Sequence, residues 1–386
     1  MGCARLVYNR ALAARTEGWY ERQERIDYIK TSAMLTQWKK QEDLQFLNEV
    51  SCVPLQQGLR HLQKKRALRT EYLPANVAPF ANFWAGTAKY PNFKKKHHGG
   101  SAEFTKSAFK WKDGQVFLAK CTEALPIRWS RQLPKGCEPS TITVKLDASG
   151  RFHVSLLVDT LVEPLPKTDK SIGLDVGITS LIATSNGDKI VNPKHFKRLR
   201  FKLKRVQKSL SRKQKGSSNR HKQRRKVARI HAQITDSRKD FLHKLTTQLV
   251  RENQTIVVED LAIKNMVKNH KLALSISDAS WGELVRQLTY KCEWYGRELV
   301  KIDRWFPSSK RCGNCGHTMD KMPLNVREWT CPKCGINHDR DINASKNILA
   351  AGLAVSVCGS SVRPDGQQSK GQLSKTVRGK KQKPKS

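Results

Sequence analysis

Four of the ten cysteines stand in two Cys-x2-Cys pairs, Cys312-Gly-Asn-Cys315 and Cys331-Pro-Lys-Cys334, with fifteen residues between them. Two such knuckles bring four thiolates into a tetrahedron at about 2.3 Å from one zinc ion. Gly313, Gly316 and Gly335 allow the tight turns that carry backbone N–H groups toward the sulfurs. Four thiolates leave no open coordination position, so the zinc is expected to be structural and not catalytic. A redox-active pair is the rival, and two matched pairs at ribbon spacing favour zinc. The other cysteines, Cys3, Cys52, Cys121, Cys137, Cys292 and Cys358, are scattered, unlike a secreted disulfide framework.

Charge narrows the partners. The chain has 73 Lys and Arg against 33 Asp and Glu, a net +40 at pH 7. Such a surface calls for a polyanion, with nucleic acid the first candidate and an anionic membrane the second. The membrane fails on length, because the longest near-apolar run, Ile348 to Cys358, falls far short of the ~20 residues a span needs. The start, Met1-Gly-Cys-Ala-Arg-Leu, has no apolar signal core, and Leu6 breaks the myristoylation pattern. A cytoplasmic protein is expected, or a nuclear one if the cell has a nucleus. Apolar residues are 38% of 386, enough for a core and for two or three domains.

Patterning orders the chain. Residues 1 to about 75 read as helical, with Leu55, Leu59 and Leu62 on one face of a helix starting near Pro54. Tyr8, Trp19, Tyr20 and Trp38 read first as core aromatics. Residues 76–168 read as β-structure. Thr141 to Leu146 and Phe152 to Val158 alternate around Ala148-Ser-Gly, a hairpin signal. Ser171 to Gly177, Ser180 to Thr184, Thr255 to Leu261 and Leu299 to Asp303 read as further strands, and Trp281 to Arg297 as an amphipathic helix. Between Lys189 and Thr235 there are 18 Lys and Arg and no carboxylate. There Phe196, Leu199, Leu203, Val206 and Leu210, and after Gly216 also Val227, Ile230 and Ile234, make an apolar stripe. The expectation is a helical hairpin with a dry seam and a cationic outer surface that contacts nucleic acid.

Acids are scarce, and three sit at strand or helix ends: Asp175, Glu259 and Asp341. Singly, Asp175 reads as a turn residue and Asp341 as a helix cap. Together they follow the order of an RNase H-like fold. Three clustered carboxylates can hold two Mg²⁺ about 4 Å apart, one to activate water and one to stabilise the leaving 3′ oxygen. Without cations they would repel, raising at least one pKa. Asp260, Asp303 and Asp339 rank second.

Gly173-Leu-Asp-Val-Gly, Val258-Glu-Asp-Leu, Phe306-Pro-Ser-Ser-Lys-x-Cys-Gly-Asn-Cys-Gly and His338-Asp-Arg-Asp-Ile-Asn-Ala-Ser-Lys-Asn-Ile stand in this order. With Gly2-Cys-Ala-Arg-Leu-Val-Tyr-Asn and Tyr90-Pro-Asn-Phe-Lys-Lys-Lys, they resemble the TnpB (OrfB) proteins of bacterial insertion sequences, relatives of type V CRISPR effector nucleases. The resemblance spans nearly the whole chain and implies an RNA-guided DNA endonuclease of a mobile element. The fold it implies is multidomain α/β, with a RuvC-type, RNase H-like nuclease domain split by a zinc ribbon. A helical recognition domain (1–75) and a β-barrel-like wedge domain (76–168) would come first. The nuclease domain (169–305) would carry the basic hairpin (194–250), followed by the ribbon (306–337), a last helix (338–358) and a disordered basic tail (359–386). Asp175, Glu259 and Asp341 would be the catalytic Mg²⁺ ligands, and Cys312, Cys315, Cys331 and Cys334 the zinc ligands. Partners would be a guide RNA from the transposon end, double-stranded target DNA and a separate transposase. Lys204, Arg205, Arg224 and Arg225 are expected on phosphates, with Tyr8, Gln56, Gln57 and Lys94 as weaker nucleic-acid candidates.

Two departures stand out. Met1 directly precedes the Gly-Cys-Ala-Arg segment, so a wedge strand found in similar chains is expected to be missing. Ser345 replaces a frequent Ala and is small enough to fit. A nuclease-inactive or truncated RNA-guided repressor, and an accessory transposition protein or true transposase, remain open alternatives. The presence of all three acids favours the nuclease.

Overall fold

The structure, a computed structural model, describes residues 1–63, 90–134, 136–323 and 325–359. The expected boundary at residues 75 and 76, and the expected tail beyond residue 359, lie outside the described residues. The chain folds into two units, and sequence neighbours are divided between them. One holds Met1–Asp169, Asn192–Gln254 and Ile263–Glu298; the other holds Lys170–Val191, Thr255–Ala262 and the chain from Leu299 onward.

The first unit begins with α1 (Gly2–Arg22), α2 (Tyr28–Trp38) and α3 (Cys52–Gln63). Asp27 caps α2, its side chain accepting from Lys30 N. The predicted stripe on α3 is the heart of this bundle. Leu55, Leu59 and Leu62 are all at most 1% exposed and pack on Val7, Tyr8, Ala11 and Leu12 of α1.

Strands β1 (Gly100–Thr105), β2 (Phe109–Lys112), β3 (Gln115–Leu118), β4 (Thr141–Leu146) and β5 (Phe152–Leu157) follow. They form an antiparallel sheet in the order β1-β4-β5 and a separate β2-β3 hairpin, around one core of Phe104, Phe109, Val116 and Ile142. The predicted β4-β5 hairpin pairs Val144 with Val154. Asp147 closes its turn by accepting from Ser149 N and Arg151 N, both at 2.9 Å.

The basic stretch is the helical hairpin α4 (His195–Ser211) and α5 (Ser218–Glu252). Its seam is Leu203, Ile230 and Ile234, flanked by Phe196, Leu199, Val206 and Val227. Gly216 takes a φ of 89° at the turn, and the Ser217 side chain caps α5 by accepting from Arg220 N. Helices α6 (Ile263–Met266), α7 (Ala273–Ala279) and α8 (Trp281–Trp294) complete the unit. A buried acid that the sequence reading passed over fixes the hairpin. Asp278 on α7 accepts from Phe196 N at 3.0 Å and pairs with Arg238 of α5 at 2.9 Å.

The second unit is built on β6 (Ser171–Val176), β7 (Ser180–Thr184), β8 (Lys189–Val191), β9 (Thr255–Glu259) and β10 (Glu298–Ile302). They form one sheet in the order β10-β9-β6-β7-β8. β6 runs antiparallel to β7 and parallel to β9, and β7 runs antiparallel to β8. A short antiparallel pair, β11 (Glu328–Thr330) and β12 (Asn337–Asp339), leads into α9 (Arg340–Gly359).

Helix α9 lies directly against the sheet because two glycines let it. A Cβ on Gly173 of β6 would fall 2.2 Å from Ser345 O, and one on Gly352 of α9 would fall 2.3 Å from Val257 Cγ1. Ser345 is fully buried, and its hydroxyl donates to Ile342 O at 2.7 Å, so the polar group enters the core satisfied. Val257, Val300, Ile302 and Ile348 form the core beneath.

Candidate functional site

Strand register brings two acids together. Leu174 of β6 is opposite Val258 of β9 in a parallel pair. The next residues, Asp175 and Glu259, therefore leave the sheet side by side at the same strand ends. Asp341 arrives from a third direction, in the first turn of α9, which packs across β6. The Asp175 carboxyl is pushed up to about 8, by burial first and then by the negative charges of Glu259 and Asp341. Burial also raises Glu259, opposed by a hydrogen bond that Ser308 donates to its Oε1 at 2.5 Å.

The second-ranked acids are engaged elsewhere. Asp339 Oδ1 caps α9 by accepting from Asp341 N and Ile342 N, and its Oδ2 pairs with Lys189 at 2.6 Å. Asp260 pairs with Arg304, and Asp303 accepts from Trp305 N at 2.7 Å. Asp341 is balanced by Arg327 at 3.2 Å and Lys189 at 3.8 Å. Sequence reasoning missed Lys189, Arg327 and Ser308, since none carries a local signature. The acid set is chemically suited to a hard divalent cation. It offers only oxygen donors, and a cation would favour the ionised form of Asp175, which burial first and neighbouring negative charge second disfavour.

The four cysteines converge as the spacing required. Their donor atoms all lie within 4.8 Å of one another, and among the described residues they are the one group of three or more metal-ligating side chains drawn that close. Cys312 and Cys334, and Cys315 and Cys331, lie 3.6 Å apart. A tetrahedron with bonds of about 2.3 Å has edges of about 3.8 Å, so the set fits zinc. Gly316 and Gly335 take positive φ of 74° and 67°, and their N–H groups return to Cys312 O and Cys331 O. Gly313 has another use: its N–H donates to Asn343 Oδ1 at 2.9 Å. His338 Nε2, which spacing did not flag, lies 3.0 Å from Cys312 Sγ.

The nucleic-acid candidates divide. Lys204, Arg205 and Arg225 are exposed on the hairpin, and Arg224 is half-buried. Tyr8 is 3% exposed in the helical core, so it offers no free ring face for a base; instead Lys94 Nζ sits 3.8 Å from its ring centroid. Gln57 is buried and Gln56 partly so. Gln57 and Lys94 line a cavity of about 340 Å³ with Arg5, His61, Lys95 and Glu103, none of which the sequence nominated as a contact. No helix among the described residues is long and apolar enough to cross a membrane.

Known proteins resemble this chain. The OrfB family model described as "Probable transposase" matches residues 142–270. One described as "Cas12f1-like, TNB domain" matches 281–348, and a "Helix-turn-helix domain" model of OrfB proteins matches 1–24. A Streptomyces pristinaespiralis protein named "Putative RNA-guided DNA endonuclease" is 58% identical over 96% of this chain and 88% of its own length. The Escherichia coli K12 protein "Putative RNA-guided DNA endonuclease InsQ" is 32% identical over 94% and 90%. A Cas12f1 chain, solved by cryo-EM with sgRNA and target DNA, matches the fold at TM-score 0.51 and 14% identity, over 89% of this chain and 80% of that one.

Proposed function

The chain belongs to the TnpB/OrfB family, and on that premise we propose that it is an RNA-guided DNA endonuclease of a mobile element. The observation that carries the proposal is the parallel register of β6 and β9, which sets Asp175 beside Glu259, where burial first and then the charges of Glu259 and Asp341 push Asp175 up to about 8. An RNase H-like, RuvC-type nuclease centre needs this trio. The sheet order, with three antiparallel strands followed by β9 beside β6, supports that reading.

Asp175, Glu259 and Asp341 would hold Mg²⁺. When bound, Mg²⁺ supplies activation of water and neutralises charge at the scissile phosphodiester. The rest falls to the chain. Glu259 is steadied by Ser308, and Asp341 pairs with Arg327 and Lys189. Cys312, Cys315, Cys331 and Cys334 would hold zinc as a structural clasp on the segment leading into α9. Lys204, Arg205, Arg224 and Arg225 would neutralise phosphates of a guide–target duplex without reading its bases. The α1–α3 bundle and the small sheets would serve as recognition and wedge regions. Joining of transposon ends is left to a separate transposase.

The test is to express the chain with its native flanking DNA and sequence the RNA that co-purifies. The complex is then offered a plasmid library matching that RNA, with Mg²⁺. Cleavage beside one short motif, lost in Asp175→Ala with RNA binding intact, is expected. Guided binding without cleavage would point to a repressor, and strand joining to a transposase.

A further inference from the structure

Glu259 depends on a residue far away in sequence. Ser308, 7% exposed, lies 49 positions on and spends its hydroxyl proton on Glu259 Oε1 at 2.5 Å. A lone serine rotor would be a poor guide for a carboxylate, but the backbone of this one is clamped. Asn347 Nδ2 donates to Ser308 O at 2.8 Å and to Arg311 O at 2.7 Å. Asn343 Nδ2 donates to Arg311 O at 2.7 Å, and Asn343 Oδ1 accepts from Gly313 N at 2.9 Å.

Asn343 and Asn347 are 2% and 5% exposed and stand one turn apart on α9, the helix that carries Asp341. Three backbone groups between Ser308 and Gly313 are thus held by the same helix. The segment's far end is the first cysteine knuckle. Gly313 admits this closeness only because it lacks a side chain, since a Cβ there would fall 2.9 Å from Asn343 Oδ1.

We propose that Ser308 is a positioning residue for Glu259. It holds Oε1 so that the other carboxylate oxygen is presented to a divalent cation, and the Asn343–Asn347 clamp ties that geometry to the helix bearing Asp341. The inference rests on the nuclease reading above and adds to it a residue that touches neither metal nor substrate. A polar partner of a ligating carboxylate orients it and removes alternative rotamers, and loss of such a partner costs roughly 10- to 100-fold in metal affinity or activity.

The experiment compares Ser308→Thr with Ser308→Val in the full-length, RNA-bound protein. The two side chains share a shape, and only threonine keeps the hydroxyl donor. Mg²⁺ is titrated with two readouts: cleavage rate, and the rise in unfolding temperature over that of Asp175→Ala. Ser308→Val is expected to need roughly 10- to 100-fold more Mg²⁺ for half-maximal effect in both. Ser308→Thr should stay close to the parent, and both should keep their zinc and guide RNA. Valine and threonine variants that behave alike, whether both impaired or both normal, would overturn the positioning role. Failure of the parent complex to cut or to respond to Mg²⁺ would instead sink the nuclease reading, before any Ser308 variant is made.

Discussion

Asp175→Asn should disable the nuclease and stabilise the Mg²⁺-free protein. In the folded chain the Asp175 carboxyl sits at about 8, against 3.8 in a free chain. Because the folded value is the higher one, the native state keeps the proton between these two pH values while the unfolded state gives it up. Stability from this group is therefore fully present below pH ~4 and is lost as pH rises toward about 8. Each pH unit in that window costs the native state about 1.4 kcal/mol, so the loss by pH 7 has an upper bound near 4 kcal/mol. Water reaching the half-buried carboxylate screens part of it, leaving roughly 2 kcal/mol.

Asparagine keeps the shape and removes the charge. Its unfolding temperature at pH 7, without Mg²⁺ and with zinc supplied, should exceed the parent's by about 4–8 °C. The difference should shrink toward pH 4. Saturating Mg²⁺ should raise the parent and not the variant, by about 2.7 kcal/mol at a hundred times the dissociation constant. A variant no more stable than the parent at pH 7, or a gap that does not close in acid, would refute the idea that burial and neighbouring charge penalise an ionised Asp175.

Other outcomes follow from the same geometry. Gly173→Ala drives a methyl to 2.2 Å from Ser345 O and 2.7 Å from Leu349 N, both backbone atoms that no rotamer change can clear. It should lose at least about 1–3 kcal/mol in thermal or urea unfolding, and cleavage with it, as α9 and Asp341 are displaced. Cys331→Ser should lose bound zinc by elemental analysis and lower the unfolding temperature, while RNA binding through the basic hairpin persists; full zinc retention would contradict the four-thiolate site. Lys204→Ala combined with Arg205→Ala should flatten the slope of log affinity against log salt by up to about two, with target preference unchanged. An altered sequence preference would mean that these side chains read bases.

Much of the frame was legible from one dimension. The Cys-x2-Cys pairs, the alternation in β4 and β5 and the stripe through Leu203 and Ile230 are local signals, and each appears where the spacing put it. Asp175, Glu259 and Asp341 could be nominated because each ends a recognisable strand or begins a recognisable helix. Where one residue had two readings, burial decided between them. An aromatic amid basic residues looks alike whether it faces a base or a core, and the structure puts Tyr8 in the core.

The remainder belonged to tertiary structure alone. The motif already ranked Asp341 above Asp339, two residues away; what occupies Asp339 took the fold, which spends it on capping α9 and on Lys189, 150 positions distant. Ser308 on Glu259, Asp278 on the start of α4 and Gly352 against Val257 are likewise meetings of remote segments. Periodicity and spacing report what a residue does to its own helix, strand or turn. A hydrogen bond between distant segments leaves no such trace, because chain closure creates it only after both elements have formed. The sequence thus determined the elements and the candidate ligands, and packing decided which side chains hold those ligands in place.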